Sequence, residues 1–302
     1  MGSPLRLSVN GAPAGDAARI WDAVRRDVER TEQCLSRFRA SSDLSRLNTT
    51  QAGAWADGEP RLASMLTAAR RAQAQTGGRF DARVIHVLEA LGEHAGVPIP
   101  TPAGPHLPSG EWMRRDGRST RVAVSVPVDS GGIGKGLALR WALRAARRLV
   151  NGAHGLLLEA GGDLAIDGPG PEQGMWNVGI EDPLRLGRQL AVLTCSSGAI
   201  ATSSIAVRNW VDPDGNLVHH LVDPRTGRPA AGGLVAVSVA HADPAWAEVW
   251  SKALFVGGVA EIGPEARARG LAAWWVEADG SLHLTPVARE RTIWTASEAI
   301  AA

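Results

Sequence analysis

The chain has no tyrosine, only two cysteines and no long apolar run, and each shortage argues against a class of protein. No run reaches the roughly 20 apolar residues that a membrane-spanning helix needs, so we expect no membrane span. Cys34 and Cys195 lie far apart, without the spacing of a metal site or a disulfide framework, which suits a reducing compartment. The 32 Lys and Arg residues nearly balance the 31 Asp and Glu residues. Because there is no basic run, nucleic acid and anionic membranes are not expected partners.

The N-terminal residues lack a basic segment followed by an apolar one. We therefore expect no signal peptide and predict a cytoplasmic protein. We interpret most of the 11 tryptophans as core or interface packing rather than as stacking platforms. At 302 residues, the chain can bury a substantial core, in one large domain or in two small ones.

Apolar periodicity predicts several strands clustered between two groups of helices, which favours an α+β fold over alternating strands and helices. Residues 5–9 alternate between apolar and polar and predict a strand. Asp243 and Pro244 are typical of an N-cap and a first helical position, and they predict a helix through about Phe255. Residues 95–120 are rich in proline and glycine, so we expect a surface excursion there.

Residues 219–227 place two imidazoles, a carboxylate and a guanidinium in one turn that ends at Gly227. Two interpretations stay open for this turn. Asp223 and Arg225 could form a surface ion pair in a loop that ends a strand, or Arg225 could bind a phosphate through two N–H groups. His220 could act as a general acid or base, or it could bond to the backbone.

Residues 128–136 form a second polar turn, rich in glycine, that leads from a predicted strand into a predicted helix. The glycines would let the backbone approach an anion closely, while Lys135 and the helix N-terminus supply positive potential. Phosphate is the natural ligand for such a turn. The spacing fits neither the dinucleotide glycine fingerprint nor the P-loop, and a purely structural tight turn is the alternative.

In chain order, these turns and several other segments resemble the ApbE family, whose members are FAD:protein FMN transferases. The segments that carry the resemblance are residues 1–4, 35–38 with 42–48, 78–81, 129–136, 160–163, 201–203, 220–227 and 247–257. The resemblance implies an α+β fold of the ApbE type, with a T-fold-related sheet and helices packed on it, as one domain over residues 1–302. Such enzymes use a divalent metal, usually magnesium, to cleave the FAD pyrophosphate. They attach FMN through a phosphoester to a threonine or serine of an acceptor protein and release AMP.

The resemblance also implies roles for individual residues. Asp129 and Lys135 would contact FAD, and the backbone carbonyl of Gly132 would take a metal-ligand position where the family often has alanine. Four residues fall where the family contacts flavin or nucleotide: Met1, Gly92, Thr202 and Val222. The wall near the pyrophosphate would be formed by His220, Asp223 and Arg225.

The chain departs from the family in the helix that would hold the metal. Where the family reads Ala-Asp-x-x-Ser-Thr-Ala, residues 247–253 read Ala-Glu-Val-Trp-Ser-Lys-Ala. A carboxylate binds a hard cation, whereas an ammonium cannot be a ligand. Two arrangements stay open. Either Glu248 binds magnesium with Ser251 and water while Lys252 turns to a phosphate, or Lys252 pairs with Glu248 and replaces the charge of the metal. On spacing alone, Glu248 and Lys252 are an ordinary intrahelical pair.

The implied function is an FAD:protein FMN transferase with Glu248, Lys252, His220 and Arg225 as its catalytic residues. Without an acceptor, such an enzyme would hydrolyse FAD to FMN and AMP. A different class of function is a flavin carrier or sensor that binds FAD but transfers slowly, since Lys252 would leave no Lewis acid to bridge the phosphates. A third alternative, an unrelated hydrolase, predicts no FAD binding.

Overall fold

The computed structural model describes residues 3–93, 96–99, 110–150 and 152–296. In these residues the chain forms two compact units. Unit 1 takes Glu29–Gly134 and Asn209–Ala230, and unit 2 takes the chain before Glu29, Lys135–Arg208 and the chain after Ala230. The prediction of a single domain over residues 1–302 stays a prediction.

The helices are α1 (Ala14–Leu35), α2 (Asp43–Thr49), α3 (Pro60–Gln75), α4 (Ile85–Ala90), α5 (Gly134–Arg147), α6 (Pro244–Ala268) and α7 (Pro286–Arg291). The longer strands are β1 (Leu5–Asn10), β4 (Gly155–Ala160), β5 (Asp163–Asp167), β6 (Trp176–Glu181), β7 (Gln189–Cys195), β8 (Ser197–Ser204), β13 (Leu234–His241), β14 (Ala272–Glu277) and β16 (Thr292–Thr295). The shorter ones are β2 (Met113–Arg115), β3 (Val122–Val124), β9 (Asn209–Val211), β10 (Leu217–His219), β11 (Val222–Asp223), β12 (Arg228–Pro229) and β15 (Leu282–Leu284).

Unit 2 is built on a seven-stranded antiparallel sheet with the strand order β1-β4-β5-β8-β13-β14-β15. Side chains alternate between the two faces of each strand. On one face, Leu156 and Leu158 pack with α1 and α5, and Ala199 and Ala201 pack with Ala247 of α6. The other face packs against the three-stranded sheet β16-β7-β6 and buries Trp274 completely. Unit 2 thus has helices on one face of its sheet and strands on the other.

Helix α6 consists of two helical segments joined across Gly258, and the first segment begins and ends close to where the sequence predicts. Asp243 caps it by accepting a hydrogen bond from the backbone N–H of Ala245 at 2.9 Å, and Pro244 occupies the first turn. The prediction placed its end near Phe255, before two glycines. The chain leaves helical geometry at Gly258, with φ 73° and ψ 179°, and a second helical segment continues to Ala268. The prediction did not include this second segment.

Unit 1 consists of α2, α3 and α4 with three two-stranded ladders, β2-β3, β9-β10 and β11-β12. Val87 and Leu88 of α4 form a buried cluster with Val222, against which Trp210 packs. Part of the predicted excursion at 95–120 is ordered into β2, and residues 95 and 100–109 of it lie outside the described residues. No helix in the described ranges is long and apolar enough to cross a membrane. The mixture of helices and antiparallel sheets confirms the α+β prediction.

We expect Gly258→Ala to destabilise the protein by about 2–5 kcal/mol. Its backbone conformation is one that residues with a side chain rarely adopt. An added Cβ would also lie 2.8 Å from the Cα of Gly232. Urea unfolding followed by tryptophan fluorescence measures the change. Gly15→Ala in α1 is the matched control, because nothing lies within 4 Å of its added Cβ, and its effect should stay within about 1 kcal/mol. Equal stabilities of the two variants would contradict the prediction.

Candidate functional site

Four charged side chains of unit 2 meet near the first turns of α5 and α6. Lys135 Nζ lies 2.5 Å from Asp163 Oδ2, and Lys252 Nζ lies 3.4 Å from Glu248 Oε1. Both carboxylates are buried, whereas the side chains of Lys135 and Lys252 are 27% and 19% exposed. We call these four residues the lysine–carboxylate cluster. Because an ammonium has three N–H donors, each lysine can hold its carboxylate and present other donors outward.

Glycine at position 136 lets the two helices approach closely enough to form the cluster. A Cβ there would lie 2.4 Å from the carbonyl oxygen of Pro244 and 2.5 Å from the Cα of Ala245. The bare backbone instead donates its N–H to Glu248 Oε2 at 2.8 Å. Asp163 is fixed from the sheet, where its Oδ1 accepts the backbone N–H of Thr202 at 3.1 Å. Backbone donors therefore hold both carboxylates in place.

The cluster shifts the protonation equilibria of its members. Burial lowers the pKa of Lys135, but the carboxylates of Asp163 and Glu248 outweigh burial and hold that pKa above its usual value. Burial raises the pKa of Glu248, against the opposing effects of Lys252 and Lys135. Lys135 is therefore a firmly protonated cation whose charge is available to an anionic ligand.

The hydroxyls near the cluster are already engaged within the protein. Ser251 donates to the carbonyl oxygen of Glu248 at 3.0 Å and lies 2.8 Å from the hydroxyl of Ser203. Thr202 follows the strand alternation to the opposite face from Ser203, and its hydroxyl pairs with Ser238 at 2.8 Å. The predicted cofactor-binding residue Thr202 thus touches the cluster only through its backbone N–H.

The residues around Glu248 do not fit a divalent cation. Its Oε2 accepts the N–H of Gly136 and its Oε1 faces the ammonium of Lys252, so donors occupy both of its oxygens. No group of three or more His, Cys, Asp or Glu side chains suited to a metal is found in the part of the chain that the structure describes. The assignment of Gly132, Glu248 and Ser251 as magnesium ligands stays a prediction that this donor set does not favour. Of the two arrangements left open by the sequence, the geometry matches the pairing of Lys252 with Glu248.

In unit 1, two segments that carried the resemblance, and the residue directly after a third, fix the chain at Asp129. The side chain of Asn48 bonds both the N–H and the carbonyl of Val128, at 2.9 and 2.8 Å. The N–H of Asp129 donates to the carbonyl of Ala82 at 2.6 Å, and Ser130 donates to the carbonyl of Leu35 at 2.7 Å. Residues 35–38 and 42–48, together with Ala82 directly after residues 78–81, thus have a shared physical role, which is to position this polar turn.

A buried ion-pair network surrounds the Asp129 carboxylate. Arg37 Nε lies 3.5 Å from Asp129 Oδ1, and another guanidinium nitrogen of Arg37 lies 3.1 Å from Glu93 Oε1. All three side chains are at least nine-tenths buried. Buried charges are costly unless they are paired. Arg37 therefore compensates two carboxylates at once.

The turn at residues 219–227 holds an ion pair of its own. Arg225 donates from Nε and a terminal nitrogen to Asp223 at 3.0 and 2.9 Å, and its backbone N–H also reaches that carboxylate. Burial would raise the pKa of Asp223, but the hydrogen bonds from Arg225 outweigh burial and hold it below its usual value. The Arg225 side chain is 44% exposed, so it can also face a ligand. His220 lies between β10 and β11.

Two further predicted contacts lie in the same unit. Val222 is buried against α4, and Gly92 adopts φ 91° beside Trp210. Met1 lies outside the described residues. The structure thus brings Lys135, Glu248, Lys252 and Ser251 together in unit 2. It places Asp129, Gly92, His220, Val222, Asp223 and Arg225 in unit 1.

Three charged residues of these clusters were not among the predicted site residues. Asp163 follows two glycines in a segment that carried the resemblance, so its position offered a signal. Arg37 likewise lies in such a segment, at residues 35–38. Glu93 carried no signal, because only the folded chain brings it to Arg37.

Comparison with known proteins decides the family. A sequence model of the ApbE family matches residues 1–275. This chain belongs to the ApbE family. The match confirms the resemblance drawn from the motifs and agrees with the ApbE-type fold.

Individual ApbE proteins are similar over nearly the whole chain. The FAD:protein FMN transferase of Salmonella typhimurium is 28% identical, over 93% of this chain and 83% of its own length. The crystal structure of the ApbE protein of Thermotoga maritima has a TM-score of 0.84 at 27% identity and covers 96% of both chains. The apo flavinyl transferase ApbE of Pseudomonas stutzeri has a TM-score of 0.78 at 21% identity, over 97% of this chain and 98% of that one. The last likeness supports the fold alone.

We expect Arg37→Met to destabilise the protein by about 3–5 kcal/mol, because it leaves the carboxylates of Glu93 and Asp129 buried without their counter-charge. Urea unfolding provides the measurement. Arg30→Met is the matched control, since Arg30 forms an exposed ion pair with Glu59 at 3.1 Å. Such a pair contributes about 0–1 kcal/mol. A loss at Arg37 no larger than at Arg30 would show that the buried network is not required for stability.

Proposed function

We propose that this chain is an FAD:protein FMN transferase. It would cleave the pyrophosphate of FAD and attach FMN to a threonine or serine of an acceptor protein. The Salmonella typhimurium relative bears that name and is similar over most of both chains, which supports the proposal. FAD is then a substrate, and the partner is a protein that carries the accepting hydroxyl. A cytoplasmic location remains part of the proposal.

The observation that carries this function is the ammonium of Lys135, held by Asp163 in a family motif at the start of α5. Two adjacent phosphates need fixed positive charge and N–H donors. A positioned ammonium supplies both without having to reorganise during the reaction. Because the neighbouring carboxylates raise the pKa of Lys135, the group stays charged at neutral pH.

The transfer balances as a displacement at phosphorus. The acceptor hydroxyl oxygen bonds to the phosphorus of the FMN moiety, and the bond between that phosphorus and the bridging oxygen breaks. AMP departs with the bridging oxygen, and the hydroxyl proton passes to a base or to water. Phosphoryl transfer of this kind depends mainly on positioning and charge stabilisation.

The remaining site residues enter as parts of this proposal. In unit 2, Lys252 would face the phosphates, with Glu248 positioning it. In unit 1, Arg225 and His220 keep their predicted roles, with Asp223 positioning Arg225. Asp129, Gly92, Val222, Thr202 and Met1 would contact the flavin or nucleotide. Magnesium, which the family chemistry uses, would have to bind at Glu248, and the donor set there does not favour it. No step is therefore assigned to a metal.

We expect the purified chain to release AMP from FAD and to yield FMN, either free or bound to a supplied acceptor. Chromatography measures AMP, and the mass of the intact acceptor reports bound FMN. Lys135→Met should lower the rate about 100-fold, because it removes the fixed charge on the pyrophosphate. Arg144→Met is the matched control on the same helix, with an exposed side chain, and should leave the rate unchanged. FAD binding without AMP release would instead identify a flavin carrier.

A further inference from the structure

The two lysines of the cluster are the only lysines of the chain. The sequence has 32 basic residues other than histidine, of which 30 are arginine, and the remaining two are Lys135 and Lys252. Everywhere else, this protein uses a guanidinium as its cation. Both of its ammonium groups pair with buried carboxylates in the lysine–carboxylate cluster. The cluster therefore combines a residue type found nowhere else in the chain with a specific geometry.

An ammonium can do at this place what a guanidinium cannot. It is a compact point charge with three donors on a flexible stem, whereas arginine presents a planar fork that suits one carboxylate or phosphate. Lys252 uses a donor on Glu248 Oε1, and its partly exposed side chain can direct others to a second anion. A compact cation that lies between a protein carboxylate and a phosphate oxygen takes the position that a metal ion would occupy.

The same geometry disfavours a divalent cation at Glu248. One carboxylate oxygen accepts the Gly136 N–H, and the ammonium of Lys252 lies beside the other. A metal bound there would have to displace Lys252 from a buried carboxylate and then tolerate its charge at close range. Lys135 places a further positive charge near Glu248 and disfavours the metal in the same way.

We propose that Lys135 and Lys252 together bind the diphosphate of the substrate, and that Lys252 takes the place of a divalent cation. Binding of the diphosphate is then independent of divalent metal. This inference rests on the proposed function for the identity of the substrate, which is FAD. It assigns Lys252 as a catalytic residue that contacts the phosphates, with Glu248 as its positioning residue.

Because the chain has only two lysines, protein labelled with ¹³C at lysine Cε gives one NMR signal for each ammonium, and Lys252→Arg assigns them by removing one. We expect FAD, added in EDTA, to shift both signals and to slow the exchange of the ammonium protons. Magnesium added afterwards should leave both signals in place. A Lys252 signal that responds to FAD only when magnesium is present would overturn the inference. The titration itself uses the unaltered protein, and the variant serves only to assign the two signals.

Calorimetry of FAD binding provides the second measurement. The Kd of the unaltered protein should change less than twofold between EDTA and magnesium. Lys252→Thr should weaken binding in EDTA at least tenfold, and magnesium should restore part of that loss, because a hydroxyl then stands where the ammonium was. Arg267→Met, an exposed cation at the far end of α6, is the control and should bind as the unaltered protein does. Titration with Mn²⁺ alone should give no binding to the unaltered protein, and stoichiometric binding would overturn the inference.

The two proposals fail in different ways. If FAD shifts both lysine signals in EDTA while AMP is never released, the transferase function fails and diphosphate binding by the lysines stands. If AMP release and FAD binding both require magnesium, the transferase stands and the inference about Lys252 is overturned. FAD that leaves both signals unchanged under all conditions overturns the inference, and the transferase fails as well only if no AMP is released.

Discussion

The burial of the Glu248 carboxylate is the constraint on which the candidate site depends. A buried carboxylate must be paired and hydrogen-bonded, or it destabilises the fold. Here the pairing comes from Lys252, one turn further along the same helix, and the hydrogen bond comes from Gly136 on another helix. The hydrogen bond requires the first turn of α5 to lie against α6. This close approach in turn requires a residue without a side chain at position 136. The positions of the neighbouring charges thus follow from the need to pair and hydrogen-bond the Glu248 carboxylate.

Unit 1 also buries carboxylates that need a counter-charge, and there the counter-charge is a guanidinium. Two of its buried carboxylates, Asp129 and Glu93, pair with the same guanidinium, Arg37, which can reach both because it is broad and planar. The Asp129 turn is held by side-chain and backbone hydrogen bonds that link it to segments far apart in sequence. Arginine thus serves as a structural cation in unit 1, while the lysines of unit 2 hold carboxylates and remain partly exposed. The two cations are used for different purposes in one chain.

Sequence reasoning succeeded where the signal was local. The Asp243 cap with Pro244, and the strand that opens the chain, follow from neighbouring residues and were predicted close to their positions. The pairing of Lys135 with Asp163 depends instead on sheet register, and that of Arg37 with Glu93 on the packing of a distant loop. The second helical segment of α6, beyond Gly258, was not predicted. Family motifs marked some of these segments, but the partners within them required the folded chain.

The scarcity of lysine also determines where amine-reactive reagents modify the protein. Acylating agents, aldehydes and succinimidyl esters attack free amines, and guanidinium groups are largely inert to them. In most proteins such reagents modify many lysines spread over the surface. Here, apart from the amino terminus, they would find amines only in the lysine–carboxylate cluster. Random coupling through amines would therefore be directed at the cluster, whereas coupling through exposed carboxyl groups would spare it. Cysteine coupling offers no such route, because Cys34 and Cys195 are both buried.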